Sequence, residues 1–159
     1  MARHQGRGRS VPALLTMHLA LPRRRLAAAL LCLVCAAGVA RAQDPRVTAA
    51  QVAAREWLAF VDRGDAQTSW GAASKKFQAA ISVTVWADAL KKAQAQFGVV
   101  TRRTAGPTRF QTTLPGSPDG EYAQLLFSTS FANKANGRET LTMEREADGK
   151  WRVVGYFPR

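Results

Sequence analysis

Between Thr48 and Gly98 apolar side chains recur at intervals of three and four residues, and after Gly98 they alternate with polar ones. The first spacing predicts amphipathic helices and the second predicts half-buried strands. Thr48 with Gln51 three positions on makes a capping box, and Ala50, Ala54, Trp57, Leu58 and Val61 then share one helical face. Gly64 supplies the stop. Ala66 to Ala73, carrying Trp70, reads as a shorter helical piece, and Lys75 to Ile81 as a turn or two around Phe77. Ser82 or Thr84 can cap a last helix, on which Trp86, Ala89, Leu90, Ala93 and Phe97 line one side until Gly98 ends it.

Past Gly98 the chain turns to β-branched and aromatic residues separated by tight-turn signals. Val99 to Ala105 and Thr108 to Thr113 form one strand interrupted at Gly106-Pro107, where proline's missing N–H predicts a bulge or bend. Leu114 to Gly120 is a turn-rich loop. Glu121 to Ala132, Arg138 to Ala147 and Trp151 to Phe157 complete a four-stranded antiparallel set. Asn136-Gly137 and Asp148-Gly149 are dipeptides that favour hairpin turns with positive φ at both central positions.

These turns imply a register. A two-residue loop at Asp148-Gly149 would set Glu146 opposite Trp151, Met143 opposite Val154 and Leu141 opposite Tyr156. A five-residue loop from Asn133 to Gly137 would set Phe131 opposite Glu139, Thr129 opposite Leu141 and Phe127 opposite Met143. One face then collects Leu125, Phe127, Phe131, Leu141, Met143, Val154 and Tyr156. The other collects Gln124, Ser128, Ser130, Thr140, Thr142 and Glu144, together with Trp151 and Val153. Such sorting is what a sheet with one buried face requires. The expected fold is α+β, with N-terminal helices packed on one face of a curved four-stranded antiparallel sheet.

Upstream of these elements the composition changes. Arg23-Arg24-Arg25 precedes an apolar run from Leu26 to Ala40, and Ala40-Arg41-Ala42 has the small-x-small pattern of a signal-peptidase site. The run holds 15 residues, short of the roughly 20 that span a bilayer as a helix. The expectation is a cleaved signal peptide over residues 1–42 and a single domain over 43–159, periplasmic or secreted, with no stable membrane anchor after cleavage. Met17 is an alternative start, and the arginine run suits either the general or the twin-arginine route.

That division alters the charge and the chemistry. Seven of the 23 basic residues and none of the 11 acidic ones precede Gln43, so the formal net charge falls from +12 to +5. This is too mild to argue for a nucleic-acid partner. Both cysteines (Cys32, Cys35) and both histidines (His4, His18) lie in the leader as well. Residues 43–159 therefore cannot form disulfides, use a Cys nucleophile, build a Cys/His zinc site or run Ser-His-Asp chemistry. No metal or cofactor is expected.

Several stretches are similar to a known family. Trp57-Leu58, Val61-Asp62, Gly64-Asp65, Ser69-Trp70, Phe77 and Trp86 mark the helical half. Leu114-Pro-Gly-Ser-Pro-Asp-Gly-Glu-Tyr122, Thr129 to Lys134, Glu139-Thr140 and Asp148 to Tyr156 mark the strand half. Together they resemble the exported bacterial family called domain of unknown function 4019 (DUF4019). The resemblance covers nearly all of residues 43–159 and implies export without implying an activity. By architecture the order of elements also resembles NTF2-like and cystatin-like folds, where a pocket can lie between helix and sheet; fold alone carries no function across.

The candidate site residues are Trp57, Trp86, Tyr122, Glu139, Trp151 and Tyr156. Glu139 falls at the end of the apolar face, where a carboxylate could act as a general base or hold a ligand donor; an ion pair with Arg102, Arg103 or Arg109 is the competing reading. Asp62 and Asp65 flank the first helix end, where Asp65 suits a helix cap. Arg63-Gly64-Asp65 spells an adhesion tripeptide that a glycine helix stop explains without adhesion. Trp57, Trp86 and Tyr122 could line a ligand pocket, although aromatics at helical spacing usually form core. Trp151 and Val153, on the otherwise polar sheet face, would mark a partner or homodimer surface. The function these residues imply is a non-enzymatic module binding a small ligand or an envelope protein. A small enzyme with Glu139 or Asp62 as base, or a dimerising structural protein, are the alternatives.

Overall fold

A computed structural model describes residues 44–159, so the expected signal peptide and its cleavage site lie outside the described residues. Among the described residues four helices precede four strands: α1 (Pro45–Asp62), α2 (Ala66–Ala72), α3 (Lys75–Ala80), α4 (Val83–Phe97), β1 (Val100–Gln111), β2 (Glu121–Phe131), β3 (Lys134–Arg145) and β4 (Trp151–Pro158). The strands form one antiparallel sheet in the order β1-β2-β3-β4, which makes the domain α+β.

Helix boundaries follow local chemistry. α1 starts three residues before Thr48, because the Asp44 carboxylate accepts the Arg46 N–H and Pro45 occupies the first turn. Gly64, at φ 73°, ends it: its N–H donates to the Val61 carbonyl and that of Asp65 to the Phe60 carbonyl, a Schellman closure. Asp65 caps α2, Ser74 caps α3 and Ser82 caps α4, each through its side-chain oxygen. The predicted buried face of α1 is the observed one, Ala50, Ala54, Trp57, Leu58 and Val61.

The sheet corrects two predicted turns. Asn136-Gly137 is not a turn: β2 and β3 are joined tightly at Ala132-Asn133, Phe131 pairs with Lys134, and Phe127 rather than Phe131 lies opposite Glu139. The register moves by four residues, and because side chains alternate with period two, the face each residue occupies is unchanged. Leu125, Phe127, Leu141 and Met143 all join the core as expected. Gly137 instead lets the Phe131 ring lie across the strand, since a Cβ there would come within 2.6 Å of a ring carbon.

The second correction has the larger effect. The β3–β4 connection has three residues between the Glu146–Lys150 backbone pair, with Gly149 at φ 78°, so Trp151 pairs with Arg145 and Val153 with Met143. A bulge at Val154 then restores the expected Leu141–Tyr156 pairing. The one-residue shift turns Trp151 and Val153 inward. Both are buried in the core, so the expected exposed Trp151 surface does not exist. On β1 the predicted irregularity at Gly106-Pro107 is present between Ala105 and Thr108.

Candidate functional site

The indoles of Trp57 and Trp86 meet Phe77 and Tyr156 in an aromatic cluster with ring centroids 5.3–6.3 Å apart. Ser69 satisfies both indole N–H groups: its carbonyl accepts from Trp57 at 2.7 Å and its hydroxyl from Trp86 at 2.9 Å. Aromatic contact and paired polar edges make Trp57 and Trp86 part of the core, and Trp57, together with Trp151, also lines a cleft of about 360 Å³ between α1, α2 and β4. Tyr122 lies elsewhere. Its hydroxyl donates to the Pro118 carbonyl and accepts from Lys76, which is also paired with Glu144, and the three fasten the loop before β2. The Glu144 hydrogen bond holds the Lys76 ammonium above its usual pKa.

Glu139 and Tyr156 are brought together. Glu139 is fully buried, and its two oxygens accept four hydrogen bonds. Arg103 donates from Nε at 2.6 Å and from Nη2 at 3.0 Å, the Thr129 hydroxyl donates at 2.5 Å, and the Tyr156 hydroxyl at 2.7 Å. Four donors match the acceptor sites of an ionised carboxylate. Arg103 turns its other edge to Asp62 at the end of α1, with both oxygens engaged at 2.7 and 2.8 Å. The ion-pair reading of Glu139 therefore holds, with Arg103 as the partner.

Burial alone would depress the Arg103 pKa, but the hydrogen bonds it donates to Asp62 and Glu139 outweigh it and hold the guanidinium charged. Burial, reinforced by the neighbouring Glu139 carboxylate, pushes the Tyr156 phenol well above the usual range. Asp65 stands apart from Asp62 as the cap of α2, accepting the Thr68 N–H, which lowers its pKa. These two carboxylates form no pair.

Beside this network a pocket of about 240 Å³ opens between the end of α1, the end of α4 and the tips of β1, β2 and β4. Val61, Leu90, Phe97, Val100, Phe131 and Pro158 give it apolar walls, and Asp62, Gln94 and Tyr156 contribute polar atoms. Gln94 also donates to the Val61 carbonyl at 3.2 Å, tying α4 to the end of α1 at the pocket's edge. Of the six predicted site residues, only Tyr156 lines this space, with Glu139 behind it. Phe97, Val100 and Phe131 were legible only as core or strand residues. The glycine stop at Gly98, which ends α4 and lines the pocket, is the signal in the sequence that could have located the opening.

The model of the family described as protein of unknown function (DUF4019) matches residues 53–156, and the chain belongs to that family. No curated protein and no solved structure matches it.

Proposed function

We propose that this DUF4019 domain is an exported, non-enzymatic binding module that takes an apolar ligand, or an apolar side chain of an envelope protein, into the pocket at the ends of α1 and α4. The observation carrying this reading is the pocket itself: about 240 Å³, with apolar walls from Val61, Leu90, Phe97, Val100, Phe131 and Pro158 interleaved with the polar Asp62, Arg63, Gln94 and Tyr156, a mixture of apolar surface and polar groups found in small-ligand sites. The analogy with NTF2-like and cystatin-like folds supports it, since a pocket between helices and sheet is a recurrent feature there. Export rests on Arg23 to Arg25, the apolar run and the Ala40-Arg41-Ala42 pattern. The filled acceptor positions of Glu139 argue against its use as a general base, because a base needs a free lone pair aimed at substrate.

The test uses N-phenyl-1-naphthylamine, an uncharged probe that fluoresces in apolar surroundings. The domain should bind it saturably with one site, and Ala93→Trp, which fills the pocket from α4, should abolish binding without lowering Tm. Unchanged binding in Ala93→Trp, or none in the wild type, would refute the reading.

A further inference from the structure

The sheet's other face carries a second feature, independent of the apolar pocket. On β1, β2 and β3 the residues next to Arg103, Thr129 and Glu139 project away from the helices, as the alternation of a strand requires. Thr104, Ser128 and Arg138 lie in one row across three strands, and Arg102 pairs with Ser130 one step along. They line a polar groove of about 520 Å³ that also includes Asn136. Arg102 and Arg138 are exposed and stand two strand spacings apart across the sheet and two residues apart along it, about 12 Å. Among the described residues, neither guanidinium belongs to an ion pair, while Arg46, Arg103, Arg145 and Arg152 all do.

We infer that this groove binds an oxyanion-bearing ligand, a phosphate or carboxylate group held between Arg102 and Arg138 over the hydroxyls of Thr104 and Ser128. The guanidinium fork suits a planar or tetrahedral oxyanion through paired N–H donors. Hydroxyls beneath supply further donors, and the groove's lining includes no carboxylate to repel the ligand. It includes no aromatic ring either, which removes the stacking platform that bases of single-stranded nucleic acid use. The ligand is therefore recognised by its charge and its oxygen geometry.

Arg109 provides an internal control. It projects from the same sheet face, opposite Gln124, but lies outside the groove. Calorimetric titration of the domain with pyrophosphate and with citrate should give saturable one-to-one binding. Arg102→Gln and Arg138→Gln should each weaken it at least tenfold, while Arg109→Gln, an equal loss of charge, should change it less than twofold. A parallel arm measures co-sedimentation with phosphatidylglycerol vesicles. Vesicle binding lost in Arg102→Gln, without binding of free pyrophosphate, would assign the same oxyanion chemistry to a lipid headgroup. Equal losses in all three variants would reduce the effect to net charge and overturn the inference, as would absence of binding in both arms. Ala93→Trp should leave these titrations unchanged, so failure here and failure of the apolar pocket are separable.

Discussion

Glu139 and Arg103 show how one buried charge organises its surroundings. Glu139 is completely enclosed, and Arg103 is 15% exposed in its side chain against 32% for Asp62, so charge runs from the interior to the pocket lip in a single chain of contacts. Removing one partner of such a pair leaves a buried charge uncompensated, which typically costs 3–5 kcal/mol. Arg103→Met should therefore destabilise the domain by about 3 kcal/mol, read as a lower midpoint in urea unfolding. Glu139→Gln should cost less, because Asp62 still faces the guanidinium. A second prediction concerns alkali. The folded-state pKa of Tyr156 lies above the unfolded value of 10, so its contribution to stability is intact below pH 10 and is lost as pH rises beyond it. Tyr156→Phe should flatten the fall in unfolding free energy above pH 10, and an unchanged slope would count against the burial argument. In the sequence the Glu139 ion pair is one of two readings and Arg103 one of three candidate arginines. Contact between Arg103, Thr129 and Glu139 depends on a cross-strand register that the Asn136-Gly137 turn signal displaces.

Among the elements, turns decided what was legible. Helix faces followed from apolar spacing alone, and caps at Asp65 and Ser82 from residue type. The two β-turn errors had opposite consequences. Moving the β2–β3 register by four left every side chain on its expected face, whereas the one-residue shift after Arg145 turned Trp151 from surface to core. A dipeptide that favours a two-residue hairpin cannot reveal that the chain uses a three-residue loop with a compensating bulge downstream. Gly137 makes the β2–β3 correction testable. Gly137→Ala should destabilise by about 2 kcal/mol through overpacking against Phe131, whereas a turn glycine with positive φ would be better replaced by asparagine. Thermal melts of Gly137→Ala and Gly137→Asn should both be lowered, with Asn giving no rescue. Gly64→Ala should cost about 1 kcal/mol, since the residue holds a left-handed φ and the new Cβ would press on the Gln94 amide.

For the whole molecule, the packed aromatic cluster and the open pocket divide the helix–sheet interface between them. Trp57, Phe77 and Trp86 fill its middle, and space remains towards the end where α1 and α4 stop at glycines and in a cleft of about 360 Å³ lined by Ala53, Trp57, Met143 and Trp151. The pocket between α1 and α4 is thus lined by Phe97, Val100 and Phe131 rather than by Trp86 or Tyr122. Composition gave no hint of this, because these residues read equally well as core. The proposed module would present two chemically distinct sites on opposite faces of one sheet, an apolar pocket beneath the helices and a cationic groove on the open side. The most direct test of the binding reading is a two-dimensional amide NMR titration of residues 43–159 with N-phenyl-1-naphthylamine. Shifts confined to Val61, Leu90, Phe97, Val100 and Phe131 are predicted. Shifts centred on Trp151 and Val153, or none at saturating probe, would contradict it.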